Sequence, residues 1–346
     1  MLHSLPRDGL SVASGYAHGP RATPQVAIAA VSAAMARAGL SQAGRVYLFL
    51  SAHFQHDVDE TLRAVTQISG SLDIFGASAA GVFSEQDWSL DAPAAAALVL
   101  PPAAAEAAST HYLALAAPNT INQQWLNRAG ERFGGVAGDA SGHGAYALWH
   151  GARQRQDHIE TPLSPRSIII SQGFQALSRS DPISDCKGLM LNQLAGASAY
   201  ASLKPWLTQY PLHHLMAGIS LTTQSDTQWI PVIGVDEAKQ SIMLASELPL
   251  GAQLCWGHFD SAAASRDLAQ QLLSALAGRP QPRWSLVFSG HRRGMAGSGL
   301  QEPDWNVLRA ALPGVPFAGF YGNGQIVPLA KSNRVVDNSV LVALFD

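Results

Sequence analysis

Three segments decide the fold: PQVAIAAVSAAMARA at 24–38, RVYLFL at 45–50 and DIFGASAAG at 73–81. The first has apolar residues at helical spacing and stops before Gly39, a residue type that commonly terminates helices. The second is a short continuous apolar run, which is typical of a buried strand. Residues 57–69 show a second helical pattern before the next strand begins. The order helix, strand, helix, strand predicts a layered α/β domain.

The C-terminal part of the chain repeats this order loosely. A helix at 261–277 precedes a strand at 284–288, and a helix at 304–312 precedes a strand at 316–321 that runs into a glycine turn. Alternation of this kind is common, so chance resemblance and internal duplication both explain it. We predict two related α/β halves whose mixed sheets pack together, with helices outside. We also expect helices at 121–132 and 188–203.

Composition and charge exclude several classes of protein. Net charge is −3 and the 22 basic residues form no stripe, which argues against nucleic-acid binding. The N-terminus lacks a signal-peptide pattern, and the Ala- and Pro-rich segment at 91–108 is too weakly apolar for a membrane span. Cys186 and Cys255 have no metal-ligand spacing. We therefore expect a cytoplasmic protein with reduced thiols, part of whose surface meets a partner or a second copy.

The turn from Gly76 to Gly81 follows a predicted strand and consists of small residues. Such a turn lets a ligand approach the backbone closely and can present N–H groups to an anion. Tight packing between strands is the favoured explanation of the same residues, because glycine is common in the turns of α/β proteins. The turn is not a dinucleotide-binding fingerprint, because the middle glycine and the acidic partner are missing.

A glycine-rich loop at 134–144 holds Asp139, Ser141 and His143. These residue types form hydrolytic triads, but triad partners normally come from separate elements and cannot converge easily from one loop. The chain has no G-x-S-x-G elbow. The loop is better interpreted as a ligand-covering or connecting segment.

The twelve histidines show no metal-ligand spacing. Haem needs only one axial residue and an apolar pocket, so spacing leaves haem binding open.

Two further turns, at 289–294 and 319–326, each follow an apolar strand. At equivalent strand ends they would form one wall of a crevice, where α/β proteins usually bind ligands. Arg292 or Arg293 could pair with a carboxylate, and Asn323 could adopt a left-handed conformation or donate to a ligand. A plain turn with solvated arginines is the alternative. No catalytic residue is predicted. The candidate ligand-binding residues are Gly76, Ser78, Gly81, His291, Arg293, Gly294, Tyr321, Asn323 and Gln325.

These blocks resemble a known family. PFAGFYGNGQI (316–326) and NRVVDNSVLVALF (333–345) resemble the closing signature of the FIST C-terminal domain. VYLFLSAHF (46–54) with DIFGASAAGVFSE (73–85) is similar to the FIST N-terminal domain, and LVFSGHRRG (286–294) lies where that family has a Cys-x-Gly-Arg-Gly turn. The resemblance implies an N-terminal-like domain at 1–185 and a C-terminal-like domain at 186–346.

The chain also departs from the family pattern. Ala77 and Gly290 stand where the family has turn cysteines, and Gln325 stands where it has glutamate. Any role that needs a thiol at these turns is therefore lost. Arg293 and Gly294 keep the family's Arg-Gly pair.

The resemblance implies a bacterial sensory protein of signal transduction that binds a small ligand, such as an amino acid. As a chain of two FIST parts it would stand alone and act on a separate partner such as a histidine kinase. One bacterial branch of the family binds haem and senses nitric oxide, which makes haem the alternative ligand. An enzyme using the Arg and His crevice, and a scaffold without a ligand, are further alternatives. A homodimer is also compatible with the sequence.

Overall fold

A computed structural model of the protein describes residues 11–102, 109–139, 144, 146–221, 227–295, 302–329 and 332–346. The chain divides into two compact units, the first formed by Met1–Ser171 with Leu268–Asp346 and the second by Gln172–Asp267. The helices of the described residues are α1 Pro24–Ala38, α2 Val58–Ser69, α3 Gln123–Leu126, α4 Ala199–Leu207, α5 Ser261–Leu276, α6 His291–Met295 and α7 Pro303–Ala311. Short 3-10 helices lie at Ala52–Phe54, Pro118–Thr120 and Leu212–His214.

The first unit contains three sheets. Its strands are β1 Ala13–His18, β2 Arg45–Ser51, β3 Ile74–Ala79, β4 Gly81–Ser84, β5 Trp88–Leu90, β6 Ala94–Leu100, β7 His111–Ala116, β8 Glu131–Val136, β9 Leu148–His150, β10 Gln154–Arg155, β11 His158–Pro162, β12 Ser167–Ser171, β21 Trp284–Gly290, β22 Phe317–Gly322, β23 Gly324–Leu329, β24 Ser332–Val336 and β25 Val340–Phe345. The strand order is β1-β6-β2-β3-β9-β10 in the first sheet, β12-β25-β21-β22-β4-β5 in the second, and β11-β7-β8-β23-β24 in the third.

The second unit contains one antiparallel sheet. Its strands are β13 Phe174–Ala176, β14 Asp181–Lys187, β15 Met190–Leu194, β16 Ala197–Ser198, β17 Leu215–Ser220, β18 Gln228–Asp236, β19 Ser241–Leu244 and β20 Gln253–Phe259. The order β20-β14-β15-β19-β18-β17 closes on itself, because β17 also pairs with β20. Leu203 of α4 and Trp256 of β20 belong to the apolar core of this unit.

The prediction of two related α/β halves is confirmed. In the first sheet β6 is antiparallel to both β1 and β2, and β2 is parallel to β3. In the second sheet β25 is antiparallel to both β12 and β21, and β21 is parallel to β22. Helices precede β2, β3, β21 and β22 in the same order, so both halves share one topology. The second unit interrupts the second half between β12 and Leu268, which lies within α5.

Apolar residues on the facing sides of the sheets form the central core. Phe49 of β2 packs against Phe320 of β22, with ring centroids 5.2 Å apart, and against Phe288 of β21 at 6.0 Å. Leu113 and Phe133 of the third sheet belong to the same cluster. Helices α1 and α2 cover the outer face of the first sheet, while α5 and α7 cover that of the second. The helices therefore lie outside, as predicted.

Two predicted helices are wrong. Within 121–132 only α3 is helical, because Gly130 turns the chain with φ 100° and the next residues enter β8. Within 188–203 the chain forms β15 and β16 before α4 begins. Gly188 and Gly196 adopt positive φ of 57° and 79°, and these left-handed turns produce strands where helical spacing alone predicts a helix.

The predicted domain boundary between residues 185 and 186 falls inside β14, within the second compact unit. Compact units and family domains divide a chain by different criteria, so the two domains 1–185 and 186–346 stay a prediction. None of the helices in the described ranges is long and apolar enough to cross a membrane.

Glycines in equivalent places bring the parallel strands together. Gly76 of β3 lies opposite Leu48, and Gly319 of β22 lies opposite Val287. A Cβ at Gly76 would overlap the carbonyl oxygen of Leu48, and a Cβ at Gly319 would overlap that of Val287. Close approach of neighbouring backbones is a recognised reason for glycine inside a strand.

We expect Gly76→Ala and Gly319→Ala each to lower the free energy of unfolding by about 1–3 kcal/mol or more, because the added methyl group must displace backbone. Urea unfolding monitored by tryptophan fluorescence measures this loss. Gly234→Ala in the second unit is the control. There the new Cβ would lie 3.5 Å from the Cβ of Met243, an ordinary contact. Wild-type stability of both strand variants would disprove the close-packing explanation.

Candidate functional site

The structure brings two of the three predicted turns, 76–81 and 319–326, together. Strand β3 ends at Ala79, and the chain then crosses from the first sheet to the second, where β4 pairs with β22. Gly81 lies opposite Tyr321 in this pairing, and the Ala80 N–H donates to the Tyr321 carbonyl at 3.0 Å. The turns at 76–81 and 319–326 are therefore neighbours at the carboxyl ends of β3 and β22.

Ser78 holds the backbone next to Asp139 and next to Tyr146. Its buried hydroxyl accepts from the Ala147 N–H at 2.9 Å, and its own N–H donates to the Ala147 carbonyl at 2.8 Å. The Ser78 carbonyl accepts from the Gly138 N–H at 3.3 Å. These bonds fix the residues next to Asp139 and Tyr146. Ser78 therefore contributes to the site by holding neighbouring backbone in place.

Asn323 lies between β22 and β23. It contacts the chain before Asp139 and also Tyr146. Its N–H donates to the Val136 carbonyl at 3.1 Å, and its side chain forms a hydrogen bond with Tyr146. A Cβ at Gly138 would lie only 2.7 Å from the Asn323 Oδ1. Burial and the charge of Asp139 raise the pKa of Tyr146, and the bond to Asn323 opposes this shift. Asn323 does not adopt the predicted left-handed conformation, since its φ is not positive.

His291 begins α6 directly after β21 and is half-buried. Burial lowers the pKa of His291 below its ordinary value, while the charges of Asp91 and Asp139 oppose that shift and Arg292 adds to it. The imidazole is therefore neutral at pH 7 and offers one donor and one acceptor. The His53 Nε2 lies 3.9 Å from the Asp91 Oδ1.

We call this group the strand-end cluster. It is formed by five polar side chains that follow the ends of β2, β5, β8, β21 and β22, namely His53, Asp91, Asp139, His291 and Asn323, and by Tyr146, which precedes β9.

The buried amides of Gln325 and Asn338 lie next to the cluster. The Gln325 Oε1 accepts from the Ser339 N–H at 3.2 Å, and the Ser339 carbonyl accepts from the Gly290 N–H at 2.8 Å, one residue before His291. A Cβ at Gly290 would lie 3.1 Å from the Asn338 Cα. The Gln325 Nε2 and the Asn338 Oδ1 are buried and have no hydrogen-bond partner in the part of the chain that the structure describes.

Three predicted site residues, Arg293, Gly294 and Tyr321, lie outside the strand-end cluster. The Arg293 guanidinium is buried and donates to both carboxylate oxygens of Asp304, at 2.7 and 3.0 Å, and to the Ser171 carbonyl at 3.0 Å. A Cβ at Gly294 would lie 2.8 Å from the Tyr321 ring. Burial raises the pKa of Tyr321 well above its ordinary value, and Glu302 and Asp304 add to the shift. These side chains pack on the helix-covered side of the second sheet.

Gly76 and Gly81 have close backbone neighbours. A Cβ at Gly81 would overlap the Ser89 carbonyl, just as one at Gly76 would overlap Leu48. Packing between strands, the alternative considered for this turn, accounts for both glycines. Ligand contact through them stays a prediction.

The structure describes only one of the three residues considered for a hydrolytic triad. Ser141 and His143 lie outside the described residues, whereas Asp139 is described and its Oδ2 accepts from the Gly144 N–H at 2.8 Å. Among the described residues, no group of three or more His, Cys, Asp or Glu side chains could hold a metal ion.

The sequence did not identify four residues of this region as candidate ligand contacts: His53, Asp91, Tyr146 and Asn338. Two of them carry a backbone signal that only the structure shows, since Asp91 and Asn338 have positive φ of 49° and 51°. His53 directly follows a predicted strand, and that position was the one signal available from the sequence.

Comparison with known proteins matches part of this region to one family. Residues 197–328 match the FIST C domain. The chain carries a FIST C domain. The family resemblance deduced from the sequence is thereby confirmed, and the family is one of sensory domains. The resemblance to the FIST N-terminal domain stays a prediction.

Two bacterial relatives show similarity over part of their length. The chain is 25% identical over 191 residues to an uncharacterized protein of Mycobacterium bovis, covering 51% of the chain and 50% of that protein. It is 25% identical over 201 residues to an uncharacterized protein of Mycobacterium tuberculosis, covering 54% and 52%. The chain thus spans about half the length of the curated relatives it matches.

The FIST C domain contains His291, Asn323 and Gln325 of the site, together with the buried Arg293–Asp304 pair. The remaining cluster residues and Asn338 lie outside the matched range. The strand-end cluster therefore combines residues of the FIST C domain with residues of the first half of the chain.

We expect Arg293→Met to lower the free energy of unfolding by about 3–5 kcal/mol, because it leaves the Asp304 carboxylate buried without its cation. Arg293→Met combined with Asp304→Leu should regain most of the loss, since no buried charge remains. Urea unfolding measures both variants, and the exposed Arg292→Ala serves as the control. A loss under about 1 kcal/mol for Arg293→Met would contradict a buried pair.

Glu302 caps α7, accepting from the Trp305 N–H, and is itself buried. Burial, and then the charge of Asp304, raises the pKa of Glu302 from 4.5 to about 8. Between these values the folded state binds more protons than the unfolded state, so stability should fall as pH rises, by at most about 1.4 kcal/mol per pH unit. Glu302→Gln keeps an oxygen for the cap and should flatten this slope.

Urea unfolding at several pH values across that window measures the slope. The exposed Glu60→Gln is the control and should retain the wild-type slope. If Glu302→Gln retains it as well, Glu302 does not hold a proton in the folded state.

Proposed function

We propose that the protein is a small-ligand-binding sensory protein of signal transduction, and that the strand-end cluster with Gln325 and Asn338 is its ligand site. In this proposal it acts in the cytoplasm on a separate partner such as a histidine kinase. The observation that carries the proposal is the convergence of polar side chains from both halves at the ends of β2, β5, β8, β21 and β22. The FIST C domain supports it, because the family is sensory.

The chemistry of the site favours binding over catalysis. Carboxylates, a neutral imidazole, a phenol and carboxamides offer both donors and acceptors to a ligand. The enzyme alternative relied on an Arg and His crevice, and the Arg293 guanidinium is engaged by Asp304 and Ser171. Small-molecule sites typically contain a few convergent polar groups, and the cluster supplies such groups from several strand ends.

Haem has weaker support. One cavity of about 380 Å³ is lined by Thr110, Leu126, Asn127, Arg128, Ala129, Gly130, Glu131, Pro328, Ser332 and Asn333. Another of about 700 Å³ is lined by Lys187, Met190, Asn192, Gly234, Val235, Asp236, Glu237, Lys239, Ser241 and Met243. Neither lining includes a histidine, cysteine or tyrosine, and the second includes Met190 and Met243, whose thioethers ligate haem iron beside a histidine in cytochromes c.

A thermal-shift screen of small metabolites tests the proposal. A ligand present at 100 times its Kd should stabilise the protein by about 2.7 kcal/mol, because it binds only the folded state. Asn323→Ala and Asp91→Asn should each reduce the shift, since both remove a polar group of the cluster. Asp157→Asn, an exposed substitution outside the cluster, should leave it unchanged.

Absorption spectra before and after haem addition complete the test. We expect no Soret band in either spectrum. A Soret band that disappears on mutation of one histidine would replace the small-ligand proposal with haem-based sensing. A ligand whose shift is the same in wild type and in both cluster variants would place its site elsewhere.

A further inference from the structure

We infer that a groove on the outer face of the second unit's sheet is a second ligand site, which takes an aromatic ring carrying a hydrogen-bonding group. The groove is the cavity of about 700 Å³ whose lining includes Met190, Ser241 and Met243, and we call it the sheet-face groove. All of its lining belongs to the second unit and none to the strand-end cluster. The inference therefore goes beyond the proposed function and does not depend on it.

Strand pairing places four residues of the lining in one row across neighbouring strands. Lys187 of β14 lies opposite Met190 of β15, and Met190 lies opposite Met243 of β19. Met243 in turn lies opposite Gly234 of β18. Residues directly opposite each other have Cβ atoms about 5 Å apart. The two methionines therefore form one continuous strip beside a position that has no side chain.

This row faces away from the apolar core of the unit. Ile242 and Leu244 of β19 belong to that core, and successive side chains of a strand point to opposite faces. Ser241 and Met243 therefore lie on the outer face. Met243 is 40% exposed, whereas Ser241 is only 1% exposed. Met243 thus borders the solvent, and Ser241 lies at the floor of the groove.

The Ser241 hydroxyl supplies the polar contact of the site. Its Oγ is buried and has no hydrogen-bond partner in the part of the chain that the structure describes. A buried hydroxyl without a partner destabilises the protein. A ligand group that reaches the floor can supply that partner, either as a donor or as an acceptor, because a hydroxyl does both.

Gly234 keeps the groove open. A Cβ at this position would meet only the Met243 Cβ within 4 Å among the described residues, at the ordinary distance of 3.5 Å. Its φ is not positive, so the backbone conformation does not require glycine. The register of β18 is irregular between Val232 and Gly234, and such bulges are frequent beside functional sites. The missing side chain therefore leaves space for a ligand rather than serving the backbone.

The floor of the groove selects an aromatic ring. Thioether sulfur makes favourable contacts with aromatic rings, and methionine adapts its shape to a bound molecule. Gly234 beside the methionine strip allows a flat group to approach closely. The volume of about 700 Å³ is within the range of small-molecule sites.

Charge does not decide the class of ligand. The charged side chains of the lining are Lys187 and Lys239 against Asp236 and Glu237, which sum to zero. The Lys239 Nζ lies 3.1 Å from the Asp236 Oδ2, and Glu237 forms a hydrogen bond with Tyr200. The methionine strip and the Ser241 hydroxyl therefore determine what binds.

A matched set of three probes tests the inference: 2-naphthol, naphthalene, which lacks the hydroxyl, and decahydro-2-naphthol, which lacks the aromatic rings. We expect 2-naphthol to bind more tightly than decahydro-2-naphthol, by up to about ten-fold, because only the aromatic rings gain sulfur contacts. Naphthalene should bind several-fold more weakly than 2-naphthol. Saturation-transfer NMR with the full-length protein ranks the probes, and isothermal titration calorimetry gives Kd.

Substitutions in the groove separate binding from stability. Gly234→Val fills the space and should abolish binding of 2-naphthol. Ser241→Ala should weaken 2-naphthol to the level of naphthalene without changing naphthalene binding. It should also retain or raise the urea unfolding midpoint, since it removes a buried polar group without a partner. Leu250→Ala, in the same unit but outside the groove and 69% exposed, is the control and should bind all three probes like wild type.

Met243→Ala keeps the test decisive if Gly234→Val lowers the unfolding midpoint. Met243 is partly exposed, so its replacement should retain the fold, and it should weaken 2-naphthol more than decahydro-2-naphthol.

Failure of all three probes to bind would overturn the inference, as would equal binding of 2-naphthol and decahydro-2-naphthol. Binding that neither Gly234→Val nor Met243→Ala weakens would also overturn it, because the probe would then lie elsewhere. Self-association that Gly234→Val abolishes, with no probe bound, would make this face an interface between copies instead. The Asn323→Ala and Asp91→Asn measurements test the proposed function separately, so either proposal can fail alone.

Discussion

The antiparallel pairing of β4 with β22 is the contact on which the rest of the first unit depends. Because the chain crosses from the first sheet to the second at Ala80, the end of the first half is bonded into the sheet of the second half. The second half does the equivalent at Asn323, where the chain leaves β22 for β23 of the third sheet. Both crossings occur at the same place, and the strand-end cluster lies around them.

This arrangement requires glycine where backbones meet. Gly76 and Gly319 let the parallel strands of each half approach closely, and Gly290 leaves room for the Asn338 backbone. A side chain at any of these positions would change the spacing that sets the cluster. The turn at Gly290 therefore serves packing in this chain, at a position where the family has a cysteine.

Buried polar groups of the first unit are of two kinds. On the helix-covered face of the second sheet, Arg293 and Asp304 satisfy each other and the Glu302 Oε2 caps α7, while the Glu302 Oε1 has no partner among the described residues. Toward the cluster, one donor of Gln325 and one acceptor of Asn338 remain without a partner in the described residues. The first kind fixes the structure around α7. The second kind supports the proposed ligand site, because unsatisfied buried groups gain most from a bound molecule.

The sequence by itself determined the layered α/β class, the two related halves, the helices outside and the family of the C-terminal domain. Hydrophobic spacing and strand-end glycines are local signals, and local patterns specify local structure. The prediction from sequence was wrong at 188–198. Left-handed turns at Gly188 and Gly196 allow strands to form there, although the apolar residues have helical spacing. Only the tertiary structure decided that Arg293 pairs with Asp304 and that Asp91, Asn338 and His291 lie near one another. These residues are distant in sequence, and strand crossing between sheets, which no local pattern records, brings them together.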